Sequence, residues 1–322
     1  MDIRCDLFGD IETICGNRLT NAGYEVSKNS HLSVLKQCLN VLFREVQIRP
    51  RQVKIHPDLV CPQELEYGFN SLIHALDSGE NVNIYLSSNL TTADFQDGFL
   101  NDYGLHHFHL GSKLETSGKS KGFIQRTGPV VLAYITDLVA YLIDIKTHGR
   151  NGDPYIWTDQ NVMEKIHNEW PGALSNFRLR GILASNINPT QEEKKTLRQR
   201  GVNTSIEMPD GTVYMSPGGG VTTAKTSTKV QIQNDRFRSE SSKVLKYVCD
   251  KIKESDLKLN YPIRLKLLAF EPAYFFYCQK NKVGFRIDLT TEYITTRVYM
   301  LDKLLADAPI HFELNEIVRG LF

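Results

Sequence analysis

The chain has 322 residues, of which 41% are hydrophobic and 23% are charged, and its formal net charge is +1. This composition is typical of a folded globular protein and excludes an intrinsically disordered chain. The balanced charge excludes a general polyanion-binding protein, so any contact with nucleic acid has to come from a local patch.

Cysteine usage and the absence of targeting patterns favour the cytoplasm. The six cysteines never form a CxxC pair, which argues against a zinc knuckle or a disulfide framework and favours a reducing compartment. No apolar run approaches the roughly 18 residues of a membrane span, and the beginning of the chain, MDIRCDLFGD, lacks a signal-peptide pattern. We therefore expect a cytoplasmic protein without membrane contact.

Amphipathic helices are predicted in the first half of the chain. Apolar residues recur with a period of about 3.6 residues over 31–46, 62–78, 91–103 and 158–170. A glycine follows the second and the third of these segments, as is common at helix ends. The third helix should begin at the TTAD sequence, where a threonine can cap it.

Between the third and fourth of these helices the apolar period changes to two. The runs 105–110, 128–137 and 138–149 are rich in apolar and β-branched residues, and a Gly/Ser/Lys-rich loop at 111–122 follows the first of them. The second and third runs meet at a tight Thr–Asp turn, which predicts a hairpin. The segment is therefore expected to form a small antiparallel sheet.

The second half of the chain begins after a polar, charge-rich stretch at 186–200, which we interpret as a connection between domains. A hairpin is predicted around the turn Asp210–Gly211. The other expected elements are strands at 227–233 and 273–279 and helices at about 240–254, 288–306 and 312–321. The predicted fold is α+β, with a first domain (1–185) of helices and a small antiparallel sheet and a second, mixed β-hairpin and helical domain (201–322).

Three of the nine histidines lie within four positions, in the strand segment LHHFHLG. Strand alternation directs His107 and His109 to one face and His106 to the other. Two imidazoles on one face can hold a metal, act as acid and base, or form an ordinary solvated surface. His148 is the best candidate for a third metal ligand, but no further His, Cys or carboxylate motif accompanies these residues, so we expect no metal.

The hairpin strand that ends at His148 carries a basic face. Alternation should place one set of residues, Tyr141, Ile143 and Ile145, in the core and the other, Asp144, Lys146 and His148, on the polar face. Residues 112–150 contain six lysines and arginines but three acidic residues. Such a cluster suits an anionic substrate, because Arg and Lys stabilise the charge of a phosphoryl transition state and His moves protons.

A glycine-rich segment, PGGGVTTAKTS (217–227), partly resembles the phosphate loop GxxxxGK[ST]. Ala224 replaces the last glycine of that motif. Because a phosphate loop must open a helix, and 227–233 alternates as a strand, we reject an ATP site here. The basic residues Lys225, Lys229 and Arg236 are kept as candidates for gripping nucleic acid.

The order of elements over about 65–157 resembles RelE/ParE-type toxins, in which helices precede a short strand and a tight hairpin. Arg126 stands before the first hairpin strand, as an arginine commonly does in that family, and Tyr155 and Trp157 follow the histidine that closes the second. The resemblance implies a metal-independent endoribonuclease that uses the ribose 2′-hydroxyl as nucleophile. It needs no cofactor and leaves a cyclic phosphate or a 3′-phosphate.

The resemblance also assigns roles and partners. It makes His107, His109 and His148 acid/base candidates, Arg126 and Lys146 phosphate stabilisers, and Tyr155 or Trp157 a platform for a base. The implied biology is a toxin or an antiviral abortive-infection effector that acts on RNA and is controlled by an inhibitory antitoxin or a trigger protein. Two other hypotheses stay open, a non-enzymatic nucleic-acid or protein interaction module and a metal-dependent nuclease that uses the same histidines.

Overall fold

The computed structural model describes residues 2–149, 152–182, 184, 189–255, 257–270 and 273–288, and these form an α+β fold. The helices predicted over 288–306 and 312–321 fall almost entirely on residues 289–322, outside the described residues. Within the described ranges, no helix is long and apolar enough to cross a bilayer.

Helices and strands are interspersed along the described chain. The helices are α1 (Leu7–Asn21), α2 (Val34–Arg44), α3 (Glu66–Ser78), α4 (Gly98–Tyr103), α5 (Asn161–Glu169), α6 (Gln191–Gln199) and α7 (Thr228–Glu254). The strands are β1 (Ile3–Cys5), β2 (Gln52–Ile55), β3 (Leu105–His109), β4 (Pro129–Ile135), β5 (Val139–Thr147), β6 (Ile206–Glu207), β7 (Val213–Tyr214), β8 (Ile263–Ala269), β9 (Ala273–Cys278) and β10 (Val283–Asp288). Short 3-10 helices precede α3 and α4 and follow α5.

The described residues form two compact units, one from within 1–43, 91–94 and 232–288 and the other from within 44–90 and 95–231. The first unit holds a four-stranded sheet in the order β1-β8-β9-β10, in which β1 runs parallel to β8. The second unit holds the histidine-bearing sheet. This division differs from the sequence-based one, because α6 and the β6–β7 hairpin share a unit with the sheet.

The sheet of the second unit has the order β2-β5-β4-β3, with β2 parallel to β5 and the other neighbours antiparallel. One apolar cluster covers one face and includes α3 residues such as Leu72 and Leu76. Another covers the opposite face and includes Met163 and Ile166 of α5. Because both faces are covered, β4 is almost continuously buried, and its run VVLAYI is apolar rather than alternating.

Several predicted elements are confirmed and others are wrong. The helix at 62–78 ends before Gly79, whose φ is 78°. The helix predicted from the TTAD sequence begins later, at Gly98, because Asp97 accepts hydrogen bonds from two backbone N–H groups and caps it. The predicted connection contains α6, which a capping box of Thr190 and Glu193 starts.

The predicted strand at 227–233 is wrong, because this segment is the first turn and a half of α7. Helix α7 buries Val230, Asn234, Phe237 and Ser241, which follow each other at spacings of four, three and four residues. Two of these positions are polar, so the apolar pattern of the helix is interrupted and the short segment before Asn234 alternates like a strand. Helix α1 and the strands β1, β2, β8 and β10 were not predicted.

Candidate functional site

Strand pairing places the predicted histidines on one face of the sheet. His107 lies opposite Leu132 and His109 opposite Val130 in the β3–β4 pair. Directly opposed residues of antiparallel strands point to the same side, and both of these β4 residues belong to the cluster on the α5 face. The predicted shared face of the two histidines is therefore present in the fold.

The alternation predicted for β5 is wrong at one point. The register shifts between Leu132 and Ala133, and Ile143 is the extra residue of a β-bulge on β5. Because of this bulge, Ile143 packs in the cluster on the α5 face, whereas Ile145 packs on the opposite face. Tyr141 lies on the α5 face as well, so the three predicted core residues do not share one face.

The three histidines His107, His109 and His148 are in mutual contact, and we call them the histidine trio. The ring centroids of His109 and His148 are 5.3 Å apart, and those of His107 lie 6.3 Å and 6.1 Å from the other two rings. Trp157 packs on the trio, with its ring 4.9 Å from His107 and 5.7 Å from His148. Residues distant in sequence are thus assembled into one polar–aromatic cluster.

His109 is the innermost member of the trio and is fully buried, with 0% of its surface exposed. Its Nδ1 lies 3.2 Å from both the N–H and the carbonyl oxygen of Thr127, so either tautomer has a backbone partner on that side. Its Nε2 has no hydrogen-bond partner in the structure, and the same is true of Nε2 of His148. Two ring nitrogens of the trio therefore make no hydrogen bond that stabilises the fold and remain available for chemistry.

Burial keeps the trio uncharged. It acts together with the neighbouring imidazoles and Arg126 to lower the pKa of His109 to about 3. Burial also lowers the pKa of His107 and of His148, and the charge of Arg126 acts in the same direction on both. The three imidazoles are therefore neutral at pH 7.

The two predicted phosphate stabilisers differ in availability. Arg126 is exposed and forms no ion pair with any other described residue, and its charge is felt by all three histidines. Lys146 lies opposite Val130 and so shares the face of the trio, but its Nζ forms a salt bridge with the buried Asp159. Arg126 is thus free to meet an anion, whereas Lys146 is already paired.

The predicted substrate-binding residues do not form one surface. Trp157 contacts the trio, and the half-buried Tyr155 lies under Lys195, whose Nζ is 5.5 Å from the ring centroid. The Nζ of Lys229 donates a hydrogen bond to the carbonyl oxygen of Pro217. Lys225 and Arg236 are exposed, but Arg236 belongs to the other compact unit. Of this set, only Trp157 reaches the histidines.

The glycine-rich segment does open a helix, so the reason given for rejecting a phosphate loop was wrong. Its backbone is nevertheless occupied: the N–H groups of Gly218 and Gly220 donate to the carbonyl oxygens of Asp102 and Asn101 at the end of α4. Lys225 stands in a tight turn with a φ of 62°. The segment therefore caps α4 rather than offering N–H groups to a phosphate.

Three residues near the trio were not identified from the sequence. Thr127 fixes the His109 ring, Asp159 pairs with Lys146, and Arg198 of α6 donates to the carbonyl oxygen of Trp157. All three contacts join segments far apart in the chain, so no local pattern marks them. Within the residues that the structure describes, no group of three or more His, Cys, Asp or Glu side chains has the geometry to hold a metal ion.

Comparisons of the chain with protein-family models, with curated proteins and with solved structures find no match. The chemistry of the site is therefore argued from its own geometry. The relevant features are three neutral imidazoles in contact, an exposed guanidinium beside them and an indole ring over them.

Proposed function

We propose that the protein cleaves RNA by side-chain acid–base catalysis, as the resemblance to RelE/ParE-type toxins implies. The observation that carries the proposal is the histidine trio, in which neutral imidazoles from β3 and from the end of β5 meet beside Arg126. Neutral imidazole is the form that a general base requires, and an arginine beside it suits a phosphodiester.

His148 is assigned as the general base, because its side chain is partly exposed and its Nε2, although buried, has no hydrogen-bond partner. In the proposed step this nitrogen takes the proton of the 2′-hydroxyl, and O2′ forms a bond to phosphorus while the bond to O5′ breaks. His107 donates a proton to O5′, because the bound phosphate anion raises the pKa of the nearest imidazole. The products are a 2′,3′-cyclic phosphate and a 5′-hydroxyl.

Arg126 is assigned to the phosphate, because extra negative charge develops on its oxygens in the transition state. Its guanidinium is exposed, which leaves all of its donors available to a substrate. Lys146 can contribute only if its ion pair with Asp159 opens. Trp157 offers a ring face beside the trio, on which a base can stack.

The order of elements adds support from the fold. Helices α3 and α4 precede the antiparallel strands β3, β4 and β5, which is the order on which the resemblance rests. The cellular role as a toxin or abortive-infection effector, and control by an antitoxin or a trigger protein, rest on the resemblance alone.

The proposal is tested by incubating RNA with the protein in EDTA and mapping the new ends. We expect cyclic-phosphate ends, and a loss of cleavage of about 100-fold or more in His148→Ala and Arg126→Ala. The matched control is His74→Ala, which removes an exposed histidine on α3. Full activity of His148→Ala would contradict the proposal.

The same assay separates the two other hypotheses. A metal-dependent nuclease would have to use the partnerless Nε2 atoms of His109 and His148, and that alternative requires that EDTA abolishes cleavage and that a transition metal restores it. An interaction module requires binding of RNA or protein without cleavage under any condition.

A further inference from the structure

We propose that α6 is a polar clamp that holds the loop 153–160 closed over the histidine trio, and that phosphate groups of RNA release it. We call this segment the Trp157 loop. The release by RNA rests on the proposed function, but the clamp itself is a property of the fold that can be measured without any catalytic assay.

Helix α6 carries one apolar residue, Leu197, and this side chain is only partly buried. None of its residues from Gln191 to Gln199 is buried. A helix of nine residues is too short to be stable alone, so its position depends on the contacts that its side chains make. These contacts decide how firmly the segment is attached.

The contacts of α6 are polar and converge on the Trp157 loop. Arg198 donates to the carbonyl oxygen of Trp157 and forms a salt bridge with Asp102. Lys194 donates to the side chain of Gln160, and the Nζ of Lys195 lies over the ring of Tyr155. The helix thus grips the loop near its beginning, middle and end.

The Trp157 loop in turn covers the histidines. The ring of Trp157 packs on His107 and His148, and His109 behind them has no exposed surface. A phosphodiester therefore cannot reach the Nε2 of His109 while the loop stays in this position. Catalysis that uses the whole trio requires the loop to move.

The charges of α6 explain what would open the clamp. The Arg198–Asp102 pair keeps 15% and 17% of its two side-chain surfaces exposed, so salt screens it in part, and no residue of α6 is fully buried. Phosphates compete with Asp102 for Arg198, because a guanidinium binds phosphate as readily as carboxylate. RNA arriving at α6 would thus loosen the loop that covers the trio.

The test uses the full chain with Trp170→Phe, which leaves Trp157 as the only tryptophan. Quenching of its fluorescence by acrylamide should increase about two-fold when NaCl is raised to about 1 M, as screening weakens the clamp. Addition of a DNA oligonucleotide at low salt, which has no 2′-hydroxyl to be cleaved, should increase it as well. Unchanged quenching in both titrations would overturn the clamp.

A variant adds a second measurement. Arg198→Ala should show the open level of quenching already at low salt, and its His109 should become reactive to diethyl pyrocarbonate in peptide mapping. Arg200→Ala is the matched control, because Arg200 is an exposed cation at the end of α6 without a side-chain partner among the described residues. If Arg198→Ala does not fold, the titrations of the parent still decide.

The outcomes separate this inference from the proposed function. If salt and oligonucleotide increase the quenching of Trp157 but the protein never cleaves RNA, the clamp is supported and the proposed nuclease function is refuted. If the protein cleaves RNA while Trp157 stays protected from acrylamide and His109 from diethyl pyrocarbonate, the nuclease function is supported and the clamp is refuted.

Discussion

His109 combines complete burial with a ring nitrogen that the fold does not use. A histidine buried in this way lowers the free energy of unfolding at acidic pH, because the folded state cannot take up the proton that the unfolded chain accepts. The sequence alternation identified the residue and its face, but its surroundings include Thr127 and His148, which come from other segments. The alternation of a strand therefore predicts which face of the sheet a residue occupies better than it predicts how deeply the side chain is buried.

The cost at His109 gives a prediction for stability against pH. Its pKa is 6.5 in the unfolded chain and about 3 in the folded state, so stability is retained above pH 6.5 and is lost as the pH falls toward 3. Replacing it with phenylalanine should reduce the loss between pH 7 and pH 5 by about 2 kcal/mol. The measurement is urea unfolding at several pH values.

The variant and the parent are compared by how steeply their free energies of unfolding change with pH, because the substitution also changes stability at pH 7. Identical pH dependence of the variant and the parent would show that His109 titrates normally and is not buried as described.

At the scale of elements, the glycine-rich segment shows how a motif-like sequence can serve packing. A Cβ added to Gly218 would lie 2.0 Å from the carbonyl oxygen of Leu100 and 2.3 Å from that of Asn101. Both obstacles are backbone atoms at the end of α4, so they cannot turn away. The glycine is required because two segments of main chain approach each other there.

Gly218→Ala should therefore destabilise the protein by about 2 kcal/mol or more, since overpacking of a closed site typically costs 1–3 kcal/mol. Gly172→Ala is the matched control, because nothing lies within 4 Å of the Cβ added there. Urea midpoints of the two variants decide the matter. Equal stability of both would mean that the close approach to α4 is absent.

Apolar patterning decides which helices and strands could be predicted from the sequence. The helix at 62–78 and the β4–β5 hairpin follow apolar patterns and were predicted correctly. Helix α6 has no apolar face, and α7 buries Asn234 and Ser241. Apolar periodicity cannot mark a helix that is held by polar contacts or that buries polar side chains.

At the scale of the whole molecule, the compact units divide the chain differently from the sequence-based boundary. A charge-rich stretch resembles a linker, yet in the structure it contains α6, whose side chains contact the Trp157 loop. The core on the α5 face includes Ile206, Met208 and Tyr214, which follow that stretch. The sheet and the later hairpin therefore belong to one folding unit.

This organisation predicts the behaviour of two fragments. Residues 44–231 should fold, because both apolar clusters of the second unit lie within them. Residues 1–200, cut near the sequence-based boundary, should not fold normally, because the α5 face loses the β6–β7 hairpin. Circular dichroism melts and amide NMR spectra distinguish the outcomes. A cooperative melt for 1–200 and none for 44–231 would contradict the division.

The β-bulge at Ile143 determines how the site responds to changes in chain length. The bulge takes up one extra residue in β5, so Tyr141 near the turn and Lys146 and His148 at the other end all face α5. Deletion of Ile143 would remove only this extra residue, because Leu142 would still pair with Ala133 and Asp144 with Leu132. The strand can therefore absorb the loss of one residue, whereas a second deletion would turn His148 to the other side of the sheet and remove the site while each of its side chains remains in the sequence.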